Sequence, residues 1–272
     1  QDQDFTYDAL NRLLSASATG SQADGGYSEN YSYDSATGNL SSNAGTSYTY
    51  GDTNHEHAVT QVGSNTYSYD ATGNQITRII GSDTYNLTYD AENRLVEVKK
   101  NNNSIAIFVY DGNGQRAKAN IGTTTTGFVG DHTEWKVGAA SQPTRYYNAS
   151  GMRLATRLDG VMYYPLTDHL GSTTMTTDAS GNEYAEIRYK AWGESRYTYG
   201  TLPTKHQYTG QYTDSYINLI WYGSRWYDPS VGRFVSADSI VPDRGNPQGL
   251  DRYSYVANNP ISRTDESGHC WG

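Results

Sequence analysis

Aromatic and apolar residues recur at every second position in short runs: Tyr31 and Tyr33, Tyr48 and Tyr50, Tyr67 and Tyr69, then Tyr85, Leu87 and Tyr89. Alternation by two places these side chains on one face of a β-strand. Further on the phase is open, between Ile105, Ile107 and Val109 and their neighbours up to Tyr110. Each run stops at a cluster of Asp, Gly, Asn, Ser or Thr and then resumes, as strands joined by tight turns do. Asp159-Gly160 predicts a two-residue hairpin, and Asp178 to Asn182 a second turn. The stretch 239–251 holds Pro242, Gly245, Pro247 and Gly249 and predicts a long loop. No sustained helical period is present, and no apolar run approaches the roughly 18 residues of a membrane span.

The turns repeat. Tyr-Asp occurs at Tyr7-Asp8, Tyr33-Asp34, Tyr69-Asp70, Tyr89-Asp90 and Tyr110-Asp111, with a degenerate Tyr50-Gly51-Asp52, at steps of 17 to 26 residues. One step is the length of a hairpin. In this plan Tyr ends the incoming strand, and Asp bonds forward to the turn amides. A Gly or Asn three to four residues on supplies a positive φ. Turn formation therefore accounts for these aspartates, and Tyr on Tyr stacking between successive hairpins is expected from the shared face.

Composition changes one point. Leu, Ile, Val and Phe make only 40 of 272 residues, about 15%, which alone suggests a disordered chain. Twenty-six tyrosines and a net charge of only -9 argue instead for a folded core built from Tyr. The excess of 29 acidic over 20 basic residues excludes nucleic acid as the expected partner. A single Cys, Cys270, rules out an internal disulfide and a Cys-x-x-Cys metal site. The chain begins at Gln1 without a Met, which suggests a processed or excised piece of a longer protein.

The Tyr-Asp rhythm resembles that of the Rhs/YD-repeat proteins, which include polymorphic toxins, Tc toxin C components and wall-associated proteins. The likeness sharpens in Asp168-His169-Leu170-Gly171-Ser172-Thr173, in Tyr208-Thr209-Gly210-Gln211, and in the run from Trp221-Tyr222-Gly223-Ser224-Arg225-Trp226-Tyr227-Asp228-Pro229 to Gly232-Arg233-Phe234-Val235-Ser236-Ala237-Asp238. Arg252-Tyr253-Ser254-Tyr255-Val256-Ala257-Asn258-Asn259-Pro260 completes it. These blocks resemble the Rhs core-associated region. The resemblance implies an all-β fold, a spiralling ribbon of antiparallel hairpins that forms a shell closed by a C-terminal segment. On this reading residues 1–120 are YD repeats, 121–204 further hairpins of the same shell, and 205–272 the core-associated region. Too few repeats are present to close a whole shell, so an open wall with exposed edge strands is expected.

The resemblance also implies the function: encapsulation of a C-terminal toxin or effector by a bacterial protein that is secreted or held at the cell surface. The family's self-cleavage motif, Asp-Pro-x-Gly-Leu, corresponds here to Asp265-Glu266-Ser267-Gly268-His269, with the cut before Cys270. Its second carboxylate corresponds to Asp238. Glu266 replaces the Pro and His269 the Leu, two departures that bear on whether the bond is cut. A close pair of carboxylates suits peptide hydrolysis, since one keeps a proton while the other activates water. Arg233 and Arg252 are candidates for positioning. Weaker constellations are attack by the Cys270 thiol, a metal held by His55 and His57 beside Glu56, and sugar stacking on Trp221 and Trp226, where core packing is the better reading. No metal or cofactor is called for, nor any enzyme acting on external substrates. The alternative is a non-catalytic surface or adhesive repeat protein whose outer face contacts glycans or proteins.

Overall fold

The alternating runs fold as strands, and each Tyr-Asp pair marks where a strand enters its turn. In the computed structural model, which describes residues 1–138, 140–241 and 245–269, Asp34 Oδ1 accepts from the backbone N–H of Ala36 at 3.0 Å and of Thr37 at 2.7 Å. Asp70, Asp90 and Asp111 do the same with amides two and four residues on, at 2.8 to 3.0 Å. Two-residue hairpins behave as the sequence predicts: Asp159 and Gly160 both have positive φ, 49° and 85°.

Among the described residues twenty strands, from β1 (Gln3–Tyr7) to β20 (Ser195–Tyr199), pair antiparallel, each with the next in sequence. The register slips by one at Tyr7, Tyr33, Tyr69, Tyr110 and Tyr189. A bulge bends and twists its strand, so a bulge repeated at the tyrosine of successive hairpins curls the ribbon. The sheet is not closed by strand pairing. Its two ends nevertheless touch: Lys190 Nζ lies 2.6 Å from Glu29 Oε1, Arg188 Nη1 donates to the Asp24 carbonyl at 2.8 Å, and Trp192 meets Tyr31 edge to face at 5.9 Å.

The tyrosines of the repeat do not stack on one another. They sit on alternate strands, so their rings stand roughly 10 Å apart, beyond ring contact. Their hydroxyls reach back instead to carbonyls of earlier strands and turns: Tyr33 to Leu13, Tyr50 to Leu40, Tyr69 to Val59 and Tyr110 to Leu95, at 2.7 to 2.9 Å. Between Asn103 and Tyr110 the buried phase is Ala106 and Phe108, while Ile107 and Val109 are exposed.

A second, four-stranded sheet, β21 (Tyr212–Asp214), β22 (Leu219–Trp221), β23 (Trp226–Asp228) and β24 (Arg233–Phe234), packs on the buried face of the ribbon. Both hydrophobic clusters are shared between the two sheets: Tyr31, Tyr48 and Tyr67 join Tyr222, Tyr227 and Tyr255, and Leu87, Leu95 and Phe108 join Trp221 and Trp226. The aromatic ring contacts expected along the ribbon are made across this interface, as in Tyr110 with Trp221 and Tyr69 with Tyr253, each at 5.6 Å. The loop predicted over 239–251 carries a short 3-10 turn, Pro247–Leu250, started by Asn246 capping the Gln248 amide at 3.1 Å.

Candidate functional site

Four segments of the C-terminal region converge on the chain's last described residues. Arg225 comes from the turn between β22 and β23, where Gly223 at φ +90° reverses the chain. Asp238 follows β24, and its amide donates to the Arg252 carbonyl at 2.9 Å. Asp265 opens the final turn: its Oδ1 accepts from Ser267, Gly268 and His269 N–H at 3.1, 2.7 and 3.2 Å. Gly268 is required there, since its φ is +79° and a Cβ would lie 2.5 Å from Ser224 Oγ.

Arg225 joins the two carboxylates. One guanidinium nitrogen, Nη2, lies 2.8 Å from Asp238 Oδ2 and 3.7 Å from Asp265 Oδ2. Its Nη1 donates to the Arg252 carbonyl at 2.9 Å, its Nε donates to the Gly268 carbonyl, and its plane rests on Phe234 at 3.7 Å. The three charged side chains are all buried: Arg225 is 6% exposed, Asp238 5% and Asp265 2%. The other oxygen of Asp238 is held by His269 Nδ1 at 2.8 Å and by the Ile240 amide at 2.8 Å.

Burial dominates the protonation of this group. It pushes the Asp265 carboxyl above its ordinary value, against the pull of Arg225 and the Gly268 and Ser267 amides, and Asp238 pushes the same way as burial. It also pushes the Arg225 guanidinium down to about 10, against the support of Asp238 and Asp265. The arrangement therefore offers a carboxyl disposed to keep its proton, a second carboxylate on the same guanidinium, and a cation bonded to a backbone carbonyl. That set can donate a proton, accept one and stabilise an oxyanion.

The structure brings Asp238, Asp265, Gly268 and His269 together. Arg252 joins through its backbone and through its Nε, which donates to the Asp238 carbonyl. Arg233 lies apart, bonded to both oxygens of Asp251 at 3.0 and 2.8 Å and to the Tyr50 hydroxyl at 3.1 Å. Cys270, the residue after the expected cut, lies outside the described residues. Arg225 was missed at the sequence level. Its signal was present: an arginine inside the aromatic run Trp221 to Tyr227 is bound to be buried, and a buried arginine needs carboxylates.

The weaker constellations resolve into structural contacts. His55 bonds to Asp52 at 3.1 Å and His57 to Asn39 at 2.6 Å, and no group of three metal-ligating residues forms among the described residues. His169 Nε2 donates to the Ile261 carbonyl at 2.8 Å. Trp221 and Trp226 are buried against each other at 5.2 Å, which closes their faces to a sugar. Among the described residues no helix is long and apolar enough to cross a membrane.

Comparison with known proteins agrees with this architecture. The ribbon superposes on a chain of the Photorhabdus luminescens Tc holotoxin pore with a TM-score of 0.76 over 98% of this chain and 15% of that one, at 20% identity. It superposes on the TcdB2-TccC3 structure with a TM-score of 0.74 over 98% of this chain and 16% of that one, at 21% identity. Among curated proteins it is similar to the tRNA nuclease WapA of Bacillus subtilis, 28% identical over 222 residues, which is 78% of this chain and 9% of that protein. It is also similar to double-stranded DNA deaminase toxin A of Burkholderia cenocepacia, 28% identical over 251 residues, covering 74% of this chain and 17% of that protein. The chain thus spans less than a fifth of each of these relatives. The teneurin YD-shell family model matches residues 1–261, and the chain belongs to that family.

Proposed function

We propose that this YD-shell module is the closing section of a larger encapsulating shell, which shields a C-terminal effector polypeptide and frees it by cutting its own chain at His269-Cys270. Residues 1–204 serve as wall, continuing repeats that precede residue 1, and 205–272 as the segment that seals it. The protein acts as a secreted or cell-surface container. Several relatives carry names of toxins or nucleases, which supports an effector as the cargo.

The observation that carries the cleavage is the buried convergence of Asp238, Asp265 and Arg225 on residues 265 to 269. Water adds to the scissile carbonyl carbon. Asp238 takes the proton of that water, and Asp265, whose protonated form burial favours, gives its proton to the departing amine of residue 270. Arg225 holds the Gly268 carbonyl and so fixes the strand one residue before the cut. Tethering the bond beside its own catalytic groups supplies the proximity.

Intact-mass spectrometry of the chain extended by its native downstream residues tests this reading. A cut after His269, abolished by Asp238→Asn and by Asp265→Asn in folded protein, is the expected result. A folded parent that stays uncut removes the protease and leaves a passive wall or an adhesive surface module. A cut after Gly268 shifts the reaction to the carbonyl that Arg225 already holds.

A further inference from the structure

A cavity of about 570 Å³ lies between the inner wall of the ribbon and the C-terminal region. Its lining includes Arg116 at the start of the strand Arg116–Ile121 and Arg153 on the strand Met152–Leu158. Arg116 is 8% exposed, and neither its Nε nor its Nη1 finds a hydrogen-bond partner among the described residues. Arg153 Nε is likewise buried and unpartnered, while its Nη1 reaches the Gly210 carbonyl at 3.5 Å.

This is unusual chemistry for a protein interior. A buried donor left without an acceptor costs roughly 1 to 3 kcal/mol, and more when charged, so buried guanidinium groups are normally paired. Two carboxylates, Asp214 and Glu134, temper the Arg116 charge through space, but neither bonds its Nε or Nη1. Glu134 is already engaged by the Tyr146 hydroxyl and, at 3.2 Å, by the Tyr212 hydroxyl. Aromatic faces hold the guanidinium group in place: Arg116 Cζ lies 4.1 Å from the Tyr212 ring centre and 4.4 Å from that of Phe128. The donors are thus fixed and spare.

We propose that this cavity is a carboxylate-binding site, with Arg116 as its anchor and Arg153 as a second donor, taking a small carboxylic acid or the acidic side chain of an enclosed polypeptide. A planar monoanion matches a guanidinium edge and slides between ring faces. A dianion such as phosphate is disfavoured, because the buried acids Glu134 and Asp265 and the exposed acids Asp131 and Glu266 all line the cavity. Those acids keep the affinity low, of millimolar order. Its donors, Arg116 and Arg153, lie outside the self-cleavage group, although Asp265 and Glu266 of that group's turn line the same cavity.

The test is titration of the full 272-residue chain with sodium acetate and with sodium phosphate at constant ionic strength, read by calorimetry and by chemical-shift change. A blocked peptide carrying one Glu, and its Gln counterpart, form the second arm. Saturable acetate binding, weakened about tenfold or more by Arg116→Met and by Arg153→Met, is expected. Stronger binding of the Glu peptide than of acetate, absent for the Gln peptide, assigns the ligand to a polypeptide; the reverse order assigns it to a free acid. Met fills the space of the buried Arg116 without its charge, so the variant folds. Arg153→Met, at a less buried position, supplies a second reading, and the wild-type comparison of acetate with phosphate needs no variant. Absence of saturable acetate and Glu-peptide binding, or phosphate binding tighter than both, overturns the proposal and leaves a water-filled cavity.

Discussion

Asp34 and Asp265 hold the same turn and titrate in opposite directions. Each accepts on Oδ1 from the amides two and three residues on, at 3.0 and 2.7 Å for Asp34 and at 3.1 and 2.7 Å for Asp265. Asp34 is exposed, and those bonds, with Thr37 N–H the strongest influence, hold its carboxyl below the ordinary range. Asp265 is buried, and burial outweighs the same bonds and the Arg225 charge to raise it. The same hydrogen-bonded turn thus lowers its carboxyl pKa at the surface and fails to do so in the core, where burial prevails.

The raised Asp265 predicts a pH dependence with a definite sign. Between its ordinary and its raised value the folded chain binds a proton that the unfolded chain releases. The associated stability is present below the ordinary value, about 3.9, and is lost as pH rises through the raised one. The proposed self-cleavage draws on that proton, so its rate is expected to fall over the same window. Asp265→Asn keeps an acceptor for the three amides, so it flattens this part of the stability profile while slowing cleavage by about a hundredfold or more. Urea midpoints against pH, set beside intact-mass time courses, read both.

His206 predicts the opposite trend. Its Nδ1 donates to the Gly210 carbonyl at 3.0 Å, and its ring meets Tyr146 and Tyr212 edge to face at 4.7 and 5.5 Å. Burial, followed by the Arg153 charge, pushes its pKa well below the imidazole range. As pH falls below about 6.5 the unfolded chain gains a proton that the folded chain refuses, and stability declines by up to about 1.4 kcal/mol per pH unit. In His206→Gln that decline between about pH 6.5 and 5 is removed, whatever the variant loses at neutral pH. Denaturant midpoints at matched pH values decide it.

The repeat and the strand phase were legible because period two and turn chemistry are local. Tyr33, Asp34, Tyr69 and Asp70 sit where spacing puts them. The stacking partners were not legible, because alternate strands lie too far apart for their rings to touch and the true partners, Trp221 and Tyr253, come more than a hundred residues later. Asp238 and Asp265 came from a resemblance and not from spacing. Arg225 escaped because its role depends on burial, and Arg233 misled because its carboxylate, Asp251, lies 18 residues on in an irregular segment.

The contact between the ribbon's ends predicts a graded response. Trp192 is 1% exposed, touches Tyr31 and accepts the Tyr227 hydroxyl on its carbonyl at 2.9 Å. Trp192→Ala leaves a cavity at this seam and costs about 3 to 5 kcal/mol. The Lys190–Glu29 pair is only partly buried, so Lys190→Ala costs less than about 1 kcal/mol. Urea unfolding gives both values. Sedimentation adds a second reading: with the seam opened, the edges β1 and β20 become free to pair with other copies, and Trp192→Ala alone should self-associate.

His269 gives the sharpest test of the cleavage geometry. Asp238 must meet a water to act as base, yet its Oδ1 is held by the His269 imidazole and the Ile240 amide, and its Oδ2 by Arg225, each at 2.8 Å. The imidazole is the one of these three that a conservative change removes without cutting the backbone or baring a buried charge. His269→Leu, which restores the residue the family resemblance leads one to expect, therefore frees one face of Oδ1 for water. Cleavage in the extended chain is expected to accelerate about tenfold, equivalent to about 1.4 kcal/mol off the barrier. Adding Asp238→Asn is expected to abolish the gain, because the freed oxygen is the base of the proposed reaction. An unchanged rate would mean that the imidazole does not compete with water. A slower rate would mean that it carries the proton between Asp238 and the leaving group.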